Sequence, residues 1–373
     1  MQTIDIPGLR PGTLALTFAA LAAPPDGGAA AADPSRDGWP SITGSVLIEV
    51  QNDFAFSSDD PAGESNTLFT KIEPGFTLTP LKGVSIDAGL VFEPVQDPAV
   101  PGDDRVFDDQ GLFVEVLTLA YARDWLTLSG GKMHVNFGSA WDVAPGVFGT
   151  DLAEEYEMAE NIALAAAATA ALGRAGEHTL TAQAFFLDTS GLAESAFTRR
   201  KKTREADAGP GNTGDFSSFA LSVDGTGFPD LPGLRTHLAY VHQANDATGG
   251  DDERRFAVTG DWAIALAGGI AVQPLVEYVR FEDADGTPGR TRTYLTAALA
   301  LTYGNWNLAL SGTFKDDEAA DGTDTGDEQL QVSAGYVFDV DVGVGLDVAY
   351  KRARTAGVDT DVFGTLVSYT LEF

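Results

Sequence analysis

The chain contains no cysteine, so it can form neither a disulfide framework nor a thiolate metal site. Nowhere do its 373 residues supply the ~20 consecutive apolar positions of a membrane helix, and the best stretch, Ile162 to Leu172, is short and alanine-rich. Histidine is scarce: His134, His178, His237 and His242 lie far apart, and no Gly-x-Ser-x-Gly, His-Glu-x-x-His or phosphate-cradling loop accompanies them. These absences argue against an enzyme and against a bound metal, and no cofactor is expected. Basic residues are also few, 23 Lys and Arg against 55 Asp and Glu, and the net charge of -32 speaks against nucleic acid as a partner. The acidic run Asp316, Asp317, Glu318, Asp321, Asp324, Asp327 and Glu328 reads as a soluble loop that could hold calcium, although its spacing matches no EF-hand loop.

What is present begins with an export signal. Arg10, the apolar stretch Thr13 to Ala23 and the small residues Ala29 to Ala32 read as a signal peptide over 1–32, and Pro24, Pro25, Gly27 and Gly28 oppose a continuous helix there. Residues 33–373 then read as one domain without a linker.

After residue 40 the dominant signal is alternation with period two. Phe363, Val367, Tyr369, Leu371 and Phe373 share one face, with Gly364, Ser368, Thr370 and Glu372 opposite. Val340, Val342, Val344, Leu346, Val348 and Tyr350 oppose Asp341, Gly343, Gly345, Asp347 and Lys351 in the same way. About sixteen such runs of ~10 residues can be marked, the length a tilted membrane strand requires. The faces of 111–122 are ambiguous around Glu115, and 161–172 could instead extend a helix. Connections alternate between short turns such as Ala122 to Asp124 and long polar loops such as Met133 to Glu160, with Gly225 to Gly233 an intermediate case. The fold class expected is therefore all-β: an antiparallel barrel with short turns at one end and long loops at the other, closed because lipid leaves no other way to satisfy strand edges.

The final residues Tyr369-Thr370-Leu371-Glu372-Phe373 resemble the C-terminal signal of Gram-negative outer-membrane proteins, and Gly131-Lys132-Met133-His134-Val135-Asn136-Phe137-Gly138 resembles the strand end that opens the third loop of proteobacterial porins. The resemblance implies a bacterial outer-membrane location, short turns on the periplasmic side, and contact with lipid and lipopolysaccharide. It also implies a homotrimer, and recognition of Tyr369, Leu371 and Phe373 by the barrel-assembly machinery. It further implies that the third loop, whose Pro145–Asp151 segment is similar to the tip of that loop in porins, folds into the lumen and constricts the pore. That loop carries Asp142, Asp151, Glu154, Glu155, Glu157 and Glu160, and its Asp151–Met158 segment is expected to form a short helix.

Strand parity places Glu49, Asp53, Glu73, Asp87, Asp261, Glu277 and Asp347 on the wet face, together with Lys71, Lys132, Arg235, Arg255, Lys315 and Lys351. Function in such a barrel lies in the charges lining its channel. The reading is a water-filled porin for passive diffusion of small hydrophilic solutes and ions, with a weak cation preference from the excess of acid. Alternatives are a channel specific for an oligosaccharide, phosphate or another nutrient, and a non-channel surface barrel acting as adhesin or receptor. The basic run Arg199-Arg200-Lys201-Lys202-Thr203-Arg204 is expected to be a solvated patch on the fourth long loop.

Overall fold

The computed structural model describes residues 40–98, 100–201, 203–338 and 343–373. The signal-peptide expectation for 1–32 lies outside them, as do Val340, Val342 and Lys202. Sixteen antiparallel strands close into one barrel. The first four are β1 (Ser41–Ser58), β2 (Ser65–Leu81), β3 (Val84–Pro94) and β4 (Gln110–Arg123). Next come β5 (Leu126–Met133), β6 (Asn161–Ala171), β7 (Glu177–Leu187) and β8 (Ser218–Thr226). The third quarter is β9 (Leu234–Gln243), β10 (Glu253–Trp262), β11 (Ile270–Glu282) and β12 (Thr291–Tyr303). The wall ends with β13 (Trp306–Glu318), β14 (Asp324–Val337), β15 (Val344–Thr355) and β16 (Val358–Glu372). Closure comes from β16 against β1, from Glu372 opposite Ser45 to Thr360 opposite Ser58, so no strand edge is left unpaired at the seam.

The alternation read from sequence maps onto the two faces of this wall. Leu119, Leu164, Leu180, Leu238, Val258, Val276, Leu295, Leu310, Leu330 and Leu346 are exposed outward, an apolar belt suited to lipid. Thr181, Gln183, Ser222, Thr259, Thr296, Thr313, Gln329 and Ser333 turn inward. The ambiguity around Glu115 has a structural cause. Gly89 of β3 faces Val116 and the next residue, Leu90, faces Val114, so Glu115 is the extra residue of a β-bulge and the face parity of β4 changes there. Ala-rich β6 is a strand, not a helix.

Three expectations are corrected. The acidic run is not a loop: Asp316–Glu318 prolongs β13 and Asp324–Glu328 begins β14, so only a tight turn separates them. The third loop holds its α-helix, α1 (Ala140–Val143), earlier than expected, and Glu154–Tyr156 forms only a single 3-10 turn. Arg200 does not lie in a solvated patch. Its guanidinium forks onto the Glu160 carboxylate and stacks 4.0 Å from the centre of the Phe113 ring.

Candidate pore constriction

The third loop, residues 134–160, folds into the barrel and is fastened along an arc of the inner wall. It starts where Gly131 brings β5 close to β4; at φ 141° a Cβ on this residue would overlap the carbonyl of Leu117. The Asn136 amide donates to Gln183 on β7 (2.7 Å), and its side chain donates to Ser222 and Asp224 on β8 (2.8 and 2.9 Å). Gly138 N–H donates to His237 Nε2 on β9 (3.2 Å) while His237 Nδ1 faces Asp224 (2.7 Å), which fixes the neutral tautomer with its proton on Nδ1.

Glu277 on β11 takes the central part. Its carboxylate accepts from Ser139 N (2.6 Å) and Ala140 N (3.0 Å) at the start of α1, and also from the Tyr156 and Thr259 hydroxyls. Apolar packing covers these bonds: Val135, Phe137 and Tyr156 of the loop are fully buried against Phe185, Val241, Phe281 and Tyr294 of the wall. The loop tip then crosses to the far wall. Phe148 seats against Ala349 and Val362, where Gly364 leaves room for its ring. Gln331 on β14 donates to Pro145 O (2.9 Å), and Gln329 donates to Phe148 O.

Charge pairs complete the fastening. Lys351 reaches Asp151 (2.7 Å) and lies 4.2 Å from the centre of the Phe148 ring, and Lys315 holds Glu155 (2.7 Å) together with Asp327 (3.1 Å). Tyr294 donates to the same Glu155 carboxylate (2.9 Å).

Four residues expected to line the pore or its constriction, Lys132, Glu160, Glu277 and Asp261, sit elsewhere. Lys132 is fully buried beneath the loops, paired with Glu160 (2.6 Å) and Asp188 (3.0 Å) and donating to Leu192 O. Glu160 therefore belongs to this cluster with Arg200, not to a constriction. Glu277 is 1% exposed and serves as the loop anchor described above. Parity predicts an inward side chain but not whether water or protein meets it. Asp261 is likewise buried, gripped by the Arg235 guanidinium and by Gln273 (3.1 Å), and Arg255 pairs with Glu253 (2.6 Å) over the Phe281 ring.

The remaining side chains face the part of the lumen that the loop leaves free. Glu49, Asp53, Lys71, Glu73, Asp87 and Asp347 are inward and only partly buried. Lys71 pairs with Glu73 (3.0 Å) and interacts electrostatically with Glu93 and Glu154. Asp87 accepts from Thr77 (2.6 Å) and Ser85 (3.0 Å). On the loop side stand Asp142, Glu154 and Glu157, with Glu115 brought in by the bulge. Burial, partly countered by His134 and reinforced by Glu157, pushes the Asp142 carboxyl up to about 7. Sequence parity missed Glu115 and His134 at this place, and the Gly-Lys motif that ends β5 was the only pointer to His134. Tyr369, Leu371 and Phe373 lie on the outer side of β16, where Phe373 exchanges backbone hydrogen bonds with Gly44 (2.9 and 3.0 Å).

No protein-family model and no curated protein matches the sequence. Solved structures do match over nearly the whole chain. A loop-deletion form of OmpT, an outer membrane protein of Vibrio cholerae, superposes with a TM-score of 0.55 at 13% identity, covering 90% of this chain and 100% of the other. The outer membrane channel DcaP of Acinetobacter baumannii gives 0.54 at 10% identity, over 89% and 97% of the two chains. In vitro folded OmpT in its trimer form gives 0.53 at 12% identity, over 90% and 100%. At these identities the likeness is one of fold: the chain has the closed sixteen-strand barrel of bacterial outer-membrane proteins.

Proposed function

We propose that the barrel is a water-filled outer-membrane channel that passes small hydrophilic solutes and prefers cations. One observation carries the reading: each of the six inward cations expected from sequence is already matched by a carboxylate. Lys71 faces Glu73, Lys132 faces Glu160, Arg235 faces Asp261, Arg255 faces Glu253, Lys315 faces Glu155 and Lys351 faces Asp151. Among the described residues no Lys or Arg pairs with Glu49, Asp53, Asp87, Glu93 or Asp347, so the free part of the lumen keeps a surplus of negative charge. Inward carboxylates in a narrow aqueous passage favour cations and repel anions. The channel DcaP has the same fold, and the trimer form of OmpT supports reading this barrel as a homotrimer.

The experiment is a planar lipid bilayer with a salt gradient across it. Stable conductance with a reversal potential of cation sign supports the reading. Anion sign would overturn the preference, and silence from protein whose heat-modifiable gel shift shows it folded would turn the reading toward a closed surface barrel.

A further inference from the structure

We propose that Glu115, His134 and Glu157 form a binding station for a divalent transition-metal ion of the zinc class in the wall of the passage. One ligand atom from each of the three lies within 4.8 Å of the other two. His134 Nε2 is 3.8 Å from Glu115 and Nδ1 is 3.3 Å from Glu157. Ligand atoms around a tetrahedral zinc stand about 3.4 Å apart, close to the spacing between each ring nitrogen and the carboxylate it faces.

The second observation is the state of the imidazole. Both ring nitrogens are shut off from solvent, and among the described residues each faces only a carboxylate, Glu157 or Glu115, in a geometry too long or too bent for a good hydrogen bond. A buried polar ring left in this way costs free energy unless something completes it. A metal on one nitrogen, with the other donating to the remaining carboxylate, completes both and is the usual arrangement of a ligating histidine.

The scaffold positions all three side chains before any ion arrives. Glu115 is aimed inward by the bulge in β4. His134 is held by its own carbonyl, which accepts from Gln183 (3.1 Å), and by the stacked Trp141 ring with centroids 5.6 Å apart. Trp141 is fixed in turn by its Nε1–H to Phe137 O (3.0 Å). Glu157 ends the Glu154–Tyr156 turn, its N–H donating to Glu154 O (3.1 Å), and the adjacent Val135 N–H donates to Met158 O (2.9 Å). Asp142 interacts electrostatically with His134 and Glu157 and adds negative charge to the site.

The donor set indicates the ion. An imidazole favours zinc, copper, nickel and cobalt over magnesium and calcium, which carboxylates alone would accept. An imidazole nitrogen and one carboxylate on the ion, with the second carboxylate on the other ring nitrogen, leave coordination positions for water, which suits an ion that exchanges rather than one locked in place. The role in permeation rests on the channel reading; binding itself does not.

The test uses the full-length protein in detergent. Zinc and nickel are titrated by calorimetry, cobalt by its visible absorption, and magnesium and calcium are the controls. The expected result is one transition-metal ion per chain, with affinity about tenfold or more weaker in His134→Gln and in Glu157→Gln and unchanged in His178→Gln. Equal affinity in all variants, or calcium binding as tightly as zinc, would overturn the proposal. In bilayers, micromolar zinc should reduce the monovalent current of the parent and spare that of His134→Gln. Metal binding by a barrel that does not conduct supports the site and removes the channel reading; conduction without histidine-dependent binding does the reverse.

Discussion

The two sides of the lumen differ although both are built from the same alternating strands. Along β7 to β12 the inward residues are buried under the third loop: Thr181, Gln183, Ser222, His237, Thr259, Glu277 and Thr296 all lie within a packed interior. Along β1 to β3 the inward residues Glu49, Asp53, Lys71, Glu73 and Asp87 remain partly exposed. The side facing the loop is rich in Thr, Gln and Ser, side chains that can satisfy backbone groups of an incoming segment, whereas the other is rich in carboxylates that require water or cations. Polarity alone therefore does not mark a pore wall; the kind of polar residue does.

The largest effect is expected where charge is buried under the loops. Lys132→Met leaves Asp188, whose side chain is fully buried, without its cation, and should cost about 3–5 kcal/mol, read as a lower urea midpoint of the folded band on gels. Next comes the loop anchor. Glu277→Ala orphans two backbone N–H groups of α1 and two hydroxyls, a cost of about 2–4 kcal/mol, and should expose residues 134–160 to protease while the barrel persists.

A pH effect follows from Asp188. Burial alone would raise its carboxyl, but hydrogen bonds from Ser190 and Lys132 and the Lys132 charge outweigh that and hold it below the ordinary carboxylate range. A depressed carboxylate contributes stability that is present above its unfolded value of about 3.9 and is lost as pH falls through its lower folded value. The loop junction should accordingly loosen in strong acid, with protease sensitivity near 188–200 rising below about pH 4 and unchanged between about pH 5 and 8.

Smaller changes concern the open side. Glu93→Gln with Glu49→Gln should move the reversal potential toward zero without altering thermal stability. Smallest of all, Arg174→Ala should have no measurable effect, because its pair with Asp230 is exposed on both sides and offers a baseline for the others.

Much of the barrel was legible because one physical rule, lipid outside and water or protein inside, acts on every strand and leaves a period-two trace. Long outward runs such as Leu308, Leu310 and Phe314 marked their strand directly. Even the segment with ambiguous faces carried information, since the confusion around Glu115 was the bulge itself. The candidate site was legible in kind but not in arrangement. The third loop could be named, and its acids with it, yet Lys132, Glu160, Asp188 and Arg200 meet from three separate segments, and no local pattern encodes that meeting. The same holds for Glu277, which caps α1 from a strand 137 residues away along the chain. The meeting of Glu115, His134 and Glu157 escaped notice for this reason as well, since only the inward fold of the loop joins them.

The division of the lumen is tested most directly by single cysteines, which the parent sequence lacks. Glu49→Cys and Thr181→Cys would each be exposed to a water-soluble, charged thiol reagent in bilayers and in detergent. The account predicts rapid labelling and a change of current at position 49, and protection at position 181, whose side chain is buried on the strand where Gln183 fastens the third loop. Equal labelling at the two positions, or faster reaction at 181, would contradict it.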